Sequence, residues 1–147
     1  MIEDFNWKGK PFGCGFPAII KNNTCFSAAN IDDGWLMKDL QTFFFEHTDS
    51  QVTFVNDADA AGLAEINFGA GKNIEGIVVV ITLGTGIGSA VFLDGKLLPN
   101  TEFGHVLHKN GDIFEKYAAD SARKREKLSR KKWGDRLHEY FEHINLL

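Results

Sequence analysis

Three groups of residues have types and spacings that could do chemistry. The first is Asn56-Asp57, at the end of an apolar run, "QVTFV", where a helical pattern begins. In open α/β sheets ligands sit at the carboxyl ends of strands. A carboxylate there can accept a proton from a substrate hydroxyl, and an adjacent amide can orient that hydroxyl. The same two residues also lead the ranking of helix N-caps, so a plain capping role accounts for them equally well. Asp59 reads as a first-turn partner of the helix dipole.

The second group is "TLGTGIG", Thr82–Gly88. Backbone N–H groups left free by a glycine turn make an anion-binding nest. Gly84, Gly86 and Gly88 supply the turn, and Thr82 and Thr85 add hydroxyls. The bland alternative is a hairpin without a ligand. The third group is "NTEFGH", Asn100–His105, followed by Glu115. Glu102, His105 and Glu115 offer two acceptors and a ring suited to the hydroxyls of a sugar. An exposed loop with scattered charges is the alternative. The histidine spacings fit no zinc pattern.

Elements must position these groups. "PFGCGFPAII" (11–20) reads as a buried strand thinned by Gly13 and Gly15. Asp33 is placed to cap a helix from Trp35 to His47, with Leu36, Leu40, Phe43 and Phe44 on one face. A strand over 51–55 runs into a helix from Ala58 to Phe68, stopped by Gly69 and Gly71. "GIVVVITL" (76–83) is an apolar strand, and Asp94-Gly95 between apolar runs predicts a hairpin. The glycine loop therefore joins strand to strand. Both the P-loop and the dinucleotide fingerprint lead into a helix instead. Trp133, Leu137, Tyr140, Phe141 and Ile144 recur at helical spacing in the tail. Strands alternating with helices give an α/β fold.

Bulk properties narrow the class. The 147 residues are 44% hydrophobic and 12% aromatic, which supports a core and argues against disorder. The sequence has neither a long uncharged apolar run nor a signal-peptide pattern at its start, so the expectation is a cytoplasmic protein with no membrane partner. Cys14 and Cys25 do not form a C-x-x-C pair and read as reduced, buried thiols. The net charge is −4. Basic residues nevertheless outnumber acidic ones after residue 115, so a polyanion should meet the protein at its tail. Overall acidity and the lack of a reading motif argue against nucleic acid.

Taken in order, "VNDADAAGLAE", "TLGTGIGSAVFLDGKLLPNTEFGH" and the "KKW" helix resemble the ROK-type sugar kinases, most closely their polyphosphate glucokinase branch. The likeness runs from about "GCGFP" to the tail helix. It implies an actin-like (ribonuclease H-like) α/β fold, here incomplete: part of an N-terminal lobe over 1–70 and part of a C-terminal lobe over 71–147. It implies that Asp57 is the catalytic base for the 6-hydroxyl of glucose. Asn56, Glu102, His105 and Glu115 fall on sugar-binding positions, and Asn30 is a further sugar contact. Gly84–Gly88 falls on a phosphate-binding element, with polyphosphate or ATP as donor and magnesium accompanying it. The implied assembly is a homodimer.

The sequence departs from the family's pattern in two places. Many ROK proteins bind zinc through a cysteine cluster after "GH"; "GHVLHKNGDIFEKYAAD" has no cysteine, so no zinc is expected. Family members also open with a D-x-G-G-T-type phosphate loop, and no such motif precedes residue 11. The expectation is a central piece of a longer kinase, inactive alone, with apolar surface exposed where further strands would pair. The basic run "ARKREKLSRKKW", Lys131 and Lys132 above all, could track polyphosphate; a solvated amphipathic helix is the alternative. A sugar-binding regulator of the ROK type, or a non-catalytic remnant, are the other functional readings.

Overall fold

A computed structural model describes residues 4–28 and 31–146. Strand β1, Phe12–Phe16, is half-buried and stops at Pro17. The strand expected over 11–20 is therefore shorter. Its continuation is a separate hairpin, β2 (Ile20–Lys21) with β3 (Thr24–Cys25). Asn22 and Asn23 make its two-residue turn with φ of +50° and +60°. That is the left-handed pair a type I′ hairpin requires. Both cysteines are free; Cys25 is buried, but Cys14 is only half-buried.

The helix expected from Trp35 to His47 begins later. Asp32, not Asp33, caps a 3₁₀ turn over Asp33–Trp35 by accepting the Gly34 N–H at 2.8 Å. Met37 at φ +60° then breaks the helical path. Helix α1, Leu40–Thr48, restarts under Asp39, which accepts the Thr42 N–H at 3.0 Å. Leu40 is fully buried with Phe16, Ala18 and Cys25, in a core flanked by Trp35 and Phe54. Strand β4, Val52–Asn56, lies parallel to β1, with Phe16 opposite Asn56.

Helix α2, Asp57–Phe68, follows without a linker. It carries small residues where it meets the second sheet. A Cβ at Gly62 would stand 2.6 Å from the Ala90 Cβ and 2.8 Å from the Phe92 ring. That sheet has the order β5-β6-β7, all antiparallel: Ile77–Leu83, Ile87–Leu93 and Lys96–Leu98. Asp94 (φ +49°) and Gly95 (φ +74°) make the expected β6–β7 turn. Central β6 is buried from Ser89 to Phe92. Edge strand β5 is not, and Ile77 is 74% exposed. Val79 and Leu83 of β5 are exposed as well, as are Phe68 and Leu107 outside it.

Three helices close the other side: α3 (Phe114–Ala118), α4 (Asp120–Arg125) and α5 (Arg130–Ile144). Ser129 caps α5 by accepting the Lys132 N–H at 3.3 Å. Phe114 and Tyr140 meet edge to face, 5.3 Å between centroids, in a core with Ile87, Ala118 and Ala119. Burying each such ring contributes about 1.5–3 kcal/mol. On the rim of this core Glu139 is bonded by Lys109 and by the Tyr117 hydroxyl at 3.0 Å, with His108 Nε2 at 3.3 Å. These bonds, that of Lys109 first, hold its carboxyl down at about 2.

A carboxylate whose folded pKa is depressed contributes stability above its unfolded pKa and loses it as pH falls through the folded one. Glu139→Gln is therefore expected to cost about 1–2 kcal/mol at neutral pH. In urea unfolding the gap to the parent should close as pH drops from the ordinary glutamate range toward 2. A gap that persists at low pH would show that the charge is not what matters.

Candidate active site

The β4–α2 junction presents two polar residues, and the structure divides their work. Asn56 is the cap: its Oδ1 accepts the N–H groups of Ala58 at 2.8 Å and Asp59 at 3.2 Å. Its Nδ2 donates to the Ala18 carbonyl at 3.1 Å. Asp57 is thereby left as the first residue of the helix, exposed, with only a local contact from the Ala58 N–H at 2.9 Å. The capping alternative holds for Asn56 and frees the Asp57 carboxylate.

Across from this junction stand Glu102, His105 and Glu115. Ser89 pins the loop that carries the first two. Its hydroxyl donates to the Thr101 carbonyl at 2.8 Å and accepts the Phe103 N–H at 2.9 Å. A 3₁₀ turn, Phe103–His105, follows, and buried Gly104 lets it approach the Ile87 carbonyl where any Cβ would collide. Glu115 reaches from α3 to accept the Ile87 N–H at 2.8 Å. A Cβ at Gly86 would run into that carboxylate. Gly88 is bare for a similar reason: the Ala58 Cβ would lie 2.8 Å from a Cβ there.

The glycine loop is a β5–β6 hairpin, as expected. Its amides are not all free. Gly84 donates to the Gly86 carbonyl at 3.0 Å, and Ile87 is held by Glu115. Thr85 and Gly86 are left as the loop's two N–H groups without an acceptor among the described residues. The Gly84 carbonyl accepts the Asp120 N–H at 3.2 Å, which ties the loop to α4.

One cleft of about 410 Å³ gathers Asn56, Asp57, Thr82, Gly84, Thr85, Gly86, Gly88, Glu102, His105 and Glu115. That is the size range of small-molecule sites. Ten residues singled out in the sequence thus share one lining. Leu83 and Ile87 of the glycine loop, with Pro17–Ile19, Ser27 and Ala58, complete it; being apolar or small, the latter five carried no chemical signal in the sequence. Burial pushes the Glu102 carboxyl up; His105 pulls it back, and Glu115, Asp59 and Asp57 push it further up. Burial raises Asp59 as well, against the Asn100 N–H, with Asp57 adding to the rise. Among the described residues no three or more His, Cys, Asp or Glu side chains are grouped to hold a metal.

The ROK family's sequence profile matches residues 2–122. The chain belongs to the ROK family. It is 45% identical over 134 residues to the polyphosphate glucokinase of Mycobacterium tuberculosis H37Rv, covering 90% of this chain and 50% of that one. It superposes on the polyphosphate/ATP-glucomannokinase of Arthrobacter sp. strain KM with a TM-score of 0.90 at 46% identity, over 94% of this chain and 54% of that one. A ROK glucokinase of Streptomyces griseus, solved with glucose and AMPPNP, superposes at 0.67 and 30% identity, over 76% of this chain and 40% of that one. The fold is accordingly part of the actin-like architecture of the ROK sugar kinases. The chain spans about half the length of the curated relatives it matches.

Three candidates remain. Asn30 is outside the described residues. Lys131 and Lys132 sit exposed in the first turn of α5, away from the cleft lining. Much of the basic run around them is internally paired: Arg123 and Lys124 with Asp120, Arg125 with Glu126. Arg130, Lys131 and Lys132 carry no ion pair among the described residues. No helix among the described residues is long and apolar enough to cross a membrane.

The loop geometry separates two neighbouring glycines. Gly86→Ala is expected to push Glu115 off the Ile87 N–H and to destabilise by about 1–3 kcal/mol in urea unfolding. Gly84→Ala, with nothing within 4 Å of the added carbon, should stay within about 0.5 kcal/mol. Equal effects would refute the assigned contact.

Proposed function

We propose that the chain carries the acceptor side of a glucokinase-type phosphotransferase, which moves a phosphoryl group from polyphosphate or ATP to the 6-hydroxyl of glucose. One observation carries the reading. The Asp57 carboxylate, relieved of capping by Asn56, faces the same cleft as the two free amides of Thr85 and Gly86. Similarity to glucose- and polyphosphate-using relatives supports it.

Glu102, His105 and Glu115 would bind and orient the sugar hydroxyls. Asp57 would take the proton of the 6-hydroxyl as its oxygen bonds to phosphorus and the donor's phosphoanhydride bond breaks. Thr82, Thr85 and the loop amides would hold transferring phosphate oxygens. Magnesium accompanying the donor would supply part of the charge neutralisation. Residues 1–70 and 71–147 would belong to the two lobes of the kinase, and the cytoplasm would be its compartment.

The Gly84–Gly88 loop would be one phosphate-binding element, and transfer would need a second. Titration calorimetry on the 147-residue chain should show weak glucose binding, about millimolar, or about −4 kcal/mol. Glu102→Ala should weaken it at least tenfold. A flat titration of the parent refutes the acceptor reading. Incubated with glucose, magnesium and either donor, the chain alone should yield no glucose 6-phosphate; product above background overturns the proposed incompleteness.

The unpaired Arg130–Lys132 cluster would meet the polyphosphate chain. In a chain completed to the length of its relatives, Lys131→Ala with Lys132→Ala should raise the KM for polyphosphate more than that for ATP. The polyphosphate difference should shrink as salt rises. Equal losses with both donors would show the two lysines are only a solvated face.

A further inference from the structure

Asn100 joins three segments that are distant in sequence. Its side-chain Oδ1 accepts the Ile20 N–H at 3.0 Å, and its Nδ2 donates to the Ile20 carbonyl at 3.1 Å. The amide thus closes a two-bond clasp on one residue of β2, across a separation of 80 residues. Its own N–H donates to Asp59 Oδ2 at 3.0 Å, in the first turn of α2. Asp59 is 1% exposed, and its other oxygen, Oδ1, has no hydrogen-bond partner among the described residues. A buried carboxylate oxygen without a partner is costly, so Asp59 is not placed there for stability alone.

The clasp lies between parts of the cleft. Ile20 follows Pro17–Ile19, which form one wall. Glu102, on the opposite wall, is two residues beyond Asn100. The Ala18 carbonyl of the first wall is bonded to Asn56. Asp59 is two residues beyond Asp57. Each bond of Asn100 therefore fixes a segment that bears a candidate site residue or its wall.

We propose that Asn100 is a positioning residue: its amide clasp on Ile20, anchored through Asp59, sets the spacing between the Pro17–Ile19 wall, Asp57 and Glu102. The role rests on the acceptor reading of the cleft. Asn100 also has φ of +59°, a conformation that asparagine tolerates and glycine adopts freely. Glycine therefore separates the two explanations. It preserves the turn and removes the clasp.

The test uses the 147-residue chain as parent, Asn100→Gly, and Val52→Ala as a destabilised control in the buried face of β4. Amide exchange by NMR reports the clasp, and glucose calorimetry reports positioning. In Asn100→Gly the Ile20 amide should exchange about tenfold faster while the Val79 and Val91 amides keep parental rates. Glucose Kd should rise at least fivefold. Val52→Ala should lower the melting temperature yet leave glucose Kd within twofold. Parental exchange at Ile20 in Asn100→Gly overturns the clasp. Faster exchange with parental glucose affinity overturns the positioning role. A parent that binds no glucose refutes the acceptor reading instead, and Ile20 exchange alone then decides the clasp.

Discussion

The close seat of α2 on the second sheet is the constraint on which the site depends. It is possible because the contact is made of atoms that are absent. Gly62 meets Ala90 and Phe92, and Gly88 meets Ala58, at separations that leave no room for a further Cβ. A larger residue at either glycine would lift the helix by the width of a methyl group. Asp57, at the helix start, would then move away from the Thr85 and Gly86 amides. Interiors packed this tightly do not absorb such a change elsewhere. The helix has small residues on this face because its role is placement, and large apolar ones would hold it off.

That placement crowds carboxylates. Burial raises both Asp59 and Glu102; Glu115, Asp59 and Asp57 push Glu102 further up, and Asp57 does the same to Asp59. A carboxyl whose folded pKa is raised has the opposite sign to Glu139. It costs no stability below the unfolded carboxylate pKa and costs increasingly more as pH rises through the folded value. The cleft therefore destabilises the chain at neutral pH, and the Glu139 cluster on the far side of α3 offsets part of this. Such a distribution is common where a site is tuned for chemistry. Neutral hydroxyls of a ligand placed among these acceptors would relieve part of their repulsion.

Features written in local residue pairs were legible in the sequence. Asp94-Gly95 announced its hairpin because only that turn type demands two left-handed residues in succession. The glycine loop was legible as strand to strand because an apolar run precedes it and the Asp94-Gly95 hairpin signal between apolar runs follows it. Asn56-Asp57 was legible as a junction but not as a division of labour. Which residue caps and which stays free depends on the Ala18 carbonyl that occupies the Asn56 amide. The start of α1 was misplaced because Asp32, Asp33 and Asp39 are all good caps, and the break at Met37 leaves no compositional trace. Nothing in the sequence assigned a role to Ser89, nor to Asn100, although Asn100 opens the third group. Their bonds go to backbone groups 12 and 80 residues away, and no periodicity records such a partner.

These long-range bonds also explain how a site can be split between two cores. One core surrounds Leu40 and Phe16; the other surrounds Phe114 and Tyr140. Asp57 follows the first through β4, and Glu115 follows the second through α3. Neither core fixes the distance between those carboxylates. That distance is set by α2 against β6, by Ser89 on the Thr101–Phe103 loop, and by Asn100 between Ile20 and Asp59. All three are polar or small-residue contacts, which are individually weak and geometrically exact. Apolar burial holds each half together and leaves the halves free to slide, whereas directional bonds resist sliding while adding little to stability. The cleft's shape can consequently be altered at Asn100 or Ser89 without removing a side chain of either core, although each core also lends the lining one residue, Ala18 and Ile87.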